Sequence, residues 1–85
     1  MFTGIVQEAL SVGAVRRKPG LLELDLVFPE RLREGLVTGA SVALDGVCLT
    51  VSRLDGVSVG FDLMQETLDR TTFDRVEVGD RVHVE

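Results

Sequence analysis

Two alternating stretches of the sequence each combine a row of apolar side chains with a row of small, polar or adaptable ones. After Asp45-Gly46, one row is Val47, Leu49 and Val51, and the other is Cys48, Thr50 and Ser52. Successive side chains of a β-strand point to opposite faces, so the apolar row is predicted to face a core. The second row, which holds the only cysteine of the chain, then faces water or a flat polar partner.

The second stretch is Val57–Met64, with Val57, Val59, Phe61 and Leu63 predicted inward and Ser58, Gly60, Asp62 and Met64 predicted outward. A hairpin through Asp55-Gly56 would set the two polar rows side by side. Gly60 permits close backbone approach, and Met64 is polarizable enough to lie against a conjugated ring.

These residues together favour a shallow site for a planar, polar ligand. The Thr50 hydroxyl and the free backbone groups of its strand match the carbonyl and N–H edge of a heterocycle, and Glu66 and Thr67 just beyond are placed to bind a polyol. A subunit interface and a sheet face in contact with water are the two alternatives that the residues alone leave open.

Other kinds of chemistry have little support in the sequence. Cys48 has no histidine near it in the chain, and such a cysteine is ordinarily a small buried residue. His83 is predicted to be structural or exposed, and no carboxylate pair stands out as an acid–base couple. One histidine and one cysteine cannot make a zinc site, and no Gly-rich phosphate loop of standard spacing is present. We predict neither a catalytic residue nor a metal site.

Composition limits the partners further. The 85 residues predict one domain, 1–85, whose thin stability margin and 45% hydrophobic content favour a homo-oligomer. A net charge of −5 and only four aromatic residues argue against nucleic acid. No apolar run approaches the ~18 residues of a membrane span. A lone thiol and the missing signal peptide lead us to expect a cytoplasmic protein.

The elements that would position these residues are short strands separated by turns. Strands are predicted over Met1–Val6 continuing through Ala9–Val12, Leu21–Phe28, Ala40–Leu44, the two stretches above and Arg81–Glu85. Short helical turns are predicted over Pro29–Gly35 and Gln65–Asp69, and exposed turns over Gly13–Gly20 and Ser52–Gly56. For the basic run Arg16-Arg17-Lys18, a solvated turn is preferred to a phosphate site. This pattern predicts an all-β fold, a small closed six-stranded Greek-key barrel with one or two short helical turns.

The chain resembles the N-terminal barrel of riboflavin synthase and its relatives, the lumazine and yellow fluorescent proteins. The resemblance covers essentially the whole chain and rests on six motifs: Met1-Phe2-Thr3-Gly4-Ile5-Val6, Thr38-Gly39-Ala40-Ser41-Val42-Ala43, Gly46-Val47-Cys48-Leu49-Thr50-Val51, Phe61-Asp62-Leu63-Met64, Glu66-Thr67-Leu68 and Val78-Gly79-Asp80-Arg81-Val82.

The resemblance implies a bound riboflavin, FMN or 6,7-dimethyl-8-ribityllumazine and a set of residues that hold it. Gly4, Ile5 and Val6 would form a backbone wall, Cys48, Leu49 and Thr50 would face the ring, and the ring edge and ribityl chain would be held by Asp62, Leu63, Met64, Gln65, Glu66 and Thr67. Phe2 and Cys48 resemble positions that matter to the chemistry of the enzymes. For Phe2, packing into the core is the alternative to a lid or interface contact.

The enzymes of this family carry two such barrels in tandem, form trimers and exchange a four-carbon unit between two lumazines. The 85 residues correspond to the first barrel alone, and a histidine of the second barrel has no counterpart in them. Gln65 also replaces a family lysine or arginine. We therefore expect ligand binding without turnover by a homo-oligomer, either a dimer or a trimer. The alternative is riboflavin synthase activity at an interface between identical barrels.

Overall fold

Six antiparallel strands form a closed barrel in this computed structural model, which describes residues 8–84. The strands are β1 (Glu8–Lys18), β2 (Leu21–Val27), β3 (Ser41–Leu44), β4 (Val47–Asp55), β5 (Ser58–Met64) and β6 (Arg81–Val84). Around the barrel their order is β1-β2-β5-β4-β3-β6, and pairing of β6 with β1 closes the ring. The predicted six-stranded Greek-key barrel is confirmed.

Three short helical segments lie between the strands: α1 (Glu30–Arg33), α2 (Gln65–Arg70) and a 3-10 helix (Phe73–Arg75). Pro29 precedes α1, and Gly35 follows it with a φ of 75°, which matches the predicted helix over Pro29–Gly35. The 3-10 helix was not predicted. Within residues 8–84, no helix is long and apolar enough to cross a membrane.

The predicted apolar rows form the core of the barrel. Leu22, Leu24 and Leu26 are buried together with Phe28, whose ring lies 6.3 Å from that of Phe61 between centroids at an angle of 39°. The core-facing residues of β4 and β5 are Leu49, Val51, Val59, Phe61 and Leu63. The inward prediction for Val57 was wrong. Val57 is exposed because it lies in the turn before β5.

The turn between β3 and β4 is the Asp-Gly turn that the sequence predicts. Asp45 and Gly46 have φ angles of 48° and 82°, the left-handed pair that a type I′ turn requires. The Asp45 side chain accepts a hydrogen bond from the backbone N–H of His83 at 2.8 Å, which ties the turn to β6. This two-residue turn fixes the register in which Ala43 pairs with Cys48 and Ser41 with Thr50.

Two predicted turns were too long, and the first is Gly13–Gly20. β1 continues to Lys18, leaving only Pro19-Gly20 to reverse the chain. The strand is favoured because Arg16 faces acidic partners on β2, with its guanidinium 2.8 Å from Glu23 and 3.0 Å from Asp25. The basic run is therefore part of a strand, and its Arg16 is already paired.

The second overlong turn is Ser52–Gly56, because β4 continues to Asp55. Val51 pairs with Phe61 and Arg53 with Gly60, so Ser52 is an extra residue that forms a β-bulge. The bulge shifts the alternation of β4 by one residue. As a result Arg53 lies on the outer face of the barrel, where simple alternation from Val51 would have turned it inward.

Candidate functional site

β4 and β5 separate beyond the bulge and leave an opening between them, which we call the fork. The fork is bounded by Cys48–Thr50 of β4 and Asp62–Met64 of β5. The β4–β5 pairing ends at Val51 and Phe61. Beyond that point β4 pairs with β3 and β5 pairs with β2, and none of residues 8–84 pairs with the facing edges.

The backbone of the fork presents hydrogen-bonding groups to this opening. Hydrogen-bonding direction alternates along an antiparallel strand. The Val51 N–H donates to the Ala40 carbonyl on the β3 side at 2.8 Å, so the N–H and C=O groups of Cys48 and Thr50 are directed toward β5. The fork edge of β4 is thus a row of donors and acceptors that no other described strand uses.

The opposite edge follows the same rule. The Gln65 N–H donates to the Gly20 carbonyl on the β2 side at 3.1 Å, so the backbone groups of Asp62 and Met64 are directed toward β4. The backbone N–H and C=O groups of Cys48 and Thr50 thus point across the opening toward those of Asp62 and Met64, and all four residues were selected from the sequence. A planar heterocycle with alternating carbonyl and N–H groups is complementary to such edges.

The side chains of β4 divide as the alternation predicts. Cys48 and Thr50 are exposed on the outer face, whereas the Leu49 side chain is buried in the core. The interpretation of Cys48 as a small buried residue was therefore wrong, because its row is the outer one. Leu49 can contribute to a ligand site only through its backbone.

Ser41 is an outer-face residue that the sequence analysis did not select. It is exposed and pairs directly with Thr50 across the β3–β4 ladder, so it adds a second hydroxyl beside the fork. The signal was present in the sequence, since a two-residue turn at Asp45-Gly46 sets this register.

β5 shows the same division. Asp62 and Met64 are exposed on the outer face, and Leu63 is fully buried. Met64 is among the most exposed large apolar side chains, at 62%. An apolar side chain beside backbone groups that no described residue pairs with suits the face of a flat ring.

The three predicted residues of α2 lie where β5 ends. The Gln65 side-chain amide donates to Asp69 at 2.8 Å, and Glu66 forms an exposed ion pair with Arg70 at 3.2 Å. Thr67 is half-buried, and its carbonyl accepts a hydrogen bond from the Thr71 hydroxyl. Gln65 and Glu66 therefore present polar groups at the end of the fork.

Gly60 was predicted to allow close approach of a ligand, but Arg53 occupies that space. The guanidinium lies across Gly60 and donates to Asp62 at 2.6 Å and to Asp25 at 3.1 Å. Hydrogen bonding to Asp62 and Asp25 outweighs desolvation and raises the pKa of Arg53 above its ordinary value. Arg53 is a site-adjacent residue that the sequence analysis missed, because only the bulge brings it to this face.

The same network continues onto β1. Glu23 accepts hydrogen bonds from Arg16 at 2.8 Å and from Lys18 at 3.2 Å, and these bonds lower the pKa of Glu23 below its usual 4.5. Hydrogen bonds to Glu23 and Asp25 raise the pKa of Arg16. The outer face beside the fork is therefore a set of paired charges.

Four predicted residues lie outside the described part of the chain: Phe2, Gly4, Ile5 and Val6. The backbone wall and the lid or interface contact assigned to them stay predictions. His83 is exposed, as one of the two predicted alternatives has it, and its ring nitrogen Nδ1 is 3.5 Å from Asp45.

A separate cleft of about 300 Å3 lies beside the 3-10 helix and β6. It contains none of the predicted ligand-binding residues, and its charged lining is balanced between Asp45, Asp80, Arg75 and Arg81. The fork, and not this cleft, gathers the polar groups that suit a planar ligand.

The fold and the site together define a small closed all-β barrel domain with an open, hydrogen-bonding fork. The family model described as "Lumazine binding domain" matches residues 3–85. The chain belongs to this riboflavin synthase-like, lumazine-binding family, as the resemblance indicated.

Two curated relatives show how the chain compares with whole proteins. It is 46% identical over 85 residues to riboflavin synthase of Escherichia coli, covering 100% of this chain and 40% of that protein. It is 41% identical over 61 residues to the blue fluorescence protein of Aliivibrio fischeri, covering 72% of this chain and 30% of that protein. The chain thus spans less than half the length of these relatives.

Solved structures agree with this assignment. LumP complexed with flavin mononucleotide superposes with a TM-score of 0.89 at 34% identity, covering 100% of this chain and 48% of LumP. LumP complexed with riboflavin gives a TM-score of 0.90 at 33% identity, covering 100% and 46%. A third LumP structure, complexed with 6,7-dimethyl-8-(1'-D-ribityl) lumazine, gives a TM-score of 0.88.

Proposed function

We propose that residues 1–85 form one barrel domain that binds riboflavin, FMN or 6,7-dimethyl-8-ribityllumazine over the fork without converting it. The observation that carries this proposal is the fork itself. Backbone donors and acceptors of Cys48, Thr50, Asp62 and Met64 face an opening that none of residues 8–84 fills. The ligands bound by LumP support the choice of ligand class.

The proposed pose follows from the chemistry on each side of the fork. The ring edge, with its carbonyl and N–H groups, hydrogen-bonds to the backbone of β4 and to the Thr50 hydroxyl. Met64 lies against the ring face. The ribityl chain runs toward α2, where Gln65 and Glu66 are exposed and polar.

We further propose that the domain works as a homo-oligomer. The fork lies on the outer face of the barrel, so one barrel covers only part of a flat ligand, whereas small-molecule sites bury most of theirs. A second copy would cover the rest. The exposed free thiol of Cys48 suits a reducing compartment, and we propose a cytoplasmic location.

The central test is riboflavin binding by a Thr50 variant with a matched control. Thr50→Leu replaces the hydroxyl at the fork with a larger apolar group, and we expect affinity for riboflavin to fall at least about tenfold. Thr72→Leu makes the same change at another exposed threonine, outside the fork, and should leave affinity unchanged. Quenching of riboflavin fluorescence measures both. Equal affinity of Thr50→Leu and the unsubstituted protein would place the ligand elsewhere.

A second candidate is lumazine dismutation at an interface between two identical barrels. The 46% identity to a riboflavin synthase over the full chain favours it. Incubation with 6,7-dimethyl-8-ribityllumazine and detection of riboflavin by its absorbance decides between the two functions. We expect bound lumazine without product, and sustained riboflavin formation would establish the enzyme.

A further inference from the structure

Among residues 8–84, Arg53 is the one long side chain of β4 that reaches the β5 edge of the fork. It follows the bulge residue Ser52, at the point where β4 and β5 separate. From there its guanidinium reaches Asp62 on β5 and Asp25 on β2, at 2.6 and 3.1 Å. One side chain thus links three strands at the base of the fork.

Gly60 provides the space in which the guanidinium lies. A Cβ placed on Gly60 would come within 2.7 Å of both Nε and Nη2 of Arg53, which is closer than such atoms approach in proteins. Gly60 is buried under the guanidinium, and its φ is not positive, so its backbone conformation does not require glycine. Glycine is needed at this position because a side chain would occupy the space of the Arg53 guanidinium. The pair of Gly60 and Arg53 is therefore a specific arrangement on the outer face.

Asp62 differs from the other two carboxylates of this network. Glu23 uses both oxygens, toward Arg16 and Lys18, and Asp25 uses both, toward Arg53 and Arg16. Asp62 uses Oδ1 toward Arg53, and its Oδ2 has no hydrogen-bond partner among residues 8–84. Its side chain is 39% exposed at the edge of the fork. Asp62 therefore has one oxygen held by Arg53 and one that no described residue bonds.

We propose that Arg53 is a positioning residue that orients Asp62 so that its free Oδ2 accepts a hydrogen bond from an O–H or N–H donor of the bound ligand. This inference rests on the proposed function. It adds that the ligand bound at the fork carries an O–H or N–H group that donates to Asp62. Arg53 also balances the carboxylate charge, so an uncharged polyol or ring N–H meets an oriented acceptor with its charge compensated. Arg53 itself does not touch the ligand.

A double-mutant cycle tests whether Arg53 acts through Asp62. The four proteins are the unsubstituted chain, Arg53→Met, Asp62→Asn and the double variant, each titrated with riboflavin. We expect Arg53→Met to weaken binding about tenfold in the unsubstituted chain and less than about twofold when Asn is at position 62. An equal loss in both backgrounds would show that Arg53 only shapes the fork, and no loss in either would remove it from the site.

Two further variants separate positioning from loss of charge. Arg53→Lys keeps the positive charge but has a single nitrogen in place of the two that donate to Asp62 and Asp25. Its affinity for riboflavin should lie between those of Arg53→Met and the unsubstituted protein. Arg16→Met removes two ion pairs of the same network, to Glu23 and Asp25, without touching Asp62. It should leave affinity unchanged. A loss as large as that of Arg53→Met would overturn the proposal.

Amide hydrogen exchange without ligand provides a readout that does not depend on binding. The N–H of Gln65 donates to the Gly20 carbonyl on β2, and Leu63 pairs with Leu22, so these amides report whether the Asp62 edge stays in place. Arg53→Met should speed exchange at Leu63 and Gln65 about tenfold, and Arg16→Met should not. If the unsubstituted protein binds no riboflavin, the proposed function fails, and this comparison still decides whether Arg53 fixes the Asp62 edge. Unchanged exchange in Arg53→Met would overturn the positioning role.

Discussion

At the scale of single residues, paired charges on the outer face set how stability depends on pH. Glu23 accepts hydrogen bonds from Arg16 and Lys18, which hold its pKa below the usual glutamate value. The folded state therefore binds a proton at Glu23 less readily than the unfolded chain does. The stability that Glu23 contributes is present above the unfolded pKa and is lost as pH falls through the folded one.

Glu23→Gln should therefore be less stable than the unsubstituted protein at pH 7, and the difference should shrink as the pH falls below about 4. Thermal unfolding followed by circular dichroism from pH 3 to 7 measures the difference. Glu77→Gln is the control, because the Glu77 side chain has no ion-pair partner among the described residues. A difference in unfolding temperature that stays constant from pH 3 to 7 would show that the pairing of Glu23 contributes no pH-dependent stability.

At the scale of elements, the Asp45-Gly46 and Asp55-Gly56 turns differ in the contacts that their aspartate side chains make. Asp45 adopts a left-handed φ of 48° and its side chain accepts the His83 N–H, whereas Asp55 ends a strand with no side-chain hydrogen bond among the described residues. The Asp45 turn sets the register that places Thr50 beside Ser41. It therefore controls the geometry of one edge of the fork.

Asp45→Ala should lower the free energy of unfolding by about 2 kcal/mol, since it loses a hydrogen bond and puts alanine in a left-handed conformation. Asp55→Ala should change it by less than about 0.5 kcal/mol. Urea denaturation compares the two variants under identical conditions. Similar losses in both would mean that the His83 contact contributes nothing to stability.

The same elements show what the sequence can predict. Alternation was sufficient to place Leu49 and Val51 inward and Thr50 outward, since each strand face is either buried or open. Alternation failed at Arg53. The bulge adds one residue to β4, so the residues after it face the opposite side from the one that alternation predicts, and no residue type in the sequence indicates the bulge. The pairing of Arg53 with Asp62 then depends on strands distant in sequence, and alternation says nothing about it.

At the scale of the whole molecule, barrel closure explains why the fork exists. Each strand has a neighbour on both sides, and closure through β1 and β6 removes the two end strands that an open sheet would have. β4 and β5 pair over only about half of their length, so residues 47–50 of β4 and 62–64 of β5 have facing edges that none of residues 8–84 pairs with. Free strand edges readily pair with other groups, and a ligand with a matching edge satisfies them.

The most direct test of this account is a 1H–15N spectrum of the protein titrated with riboflavin. We expect the largest amide shifts at Cys48, Thr50, Asp62 and Met64, whose backbones face the fork, with little change at Arg75 and Arg81 in the separate cleft. Saturable shifts centred on the fork would support the central claim. Shifts centred on that cleft, or no shifts at all, would contradict it.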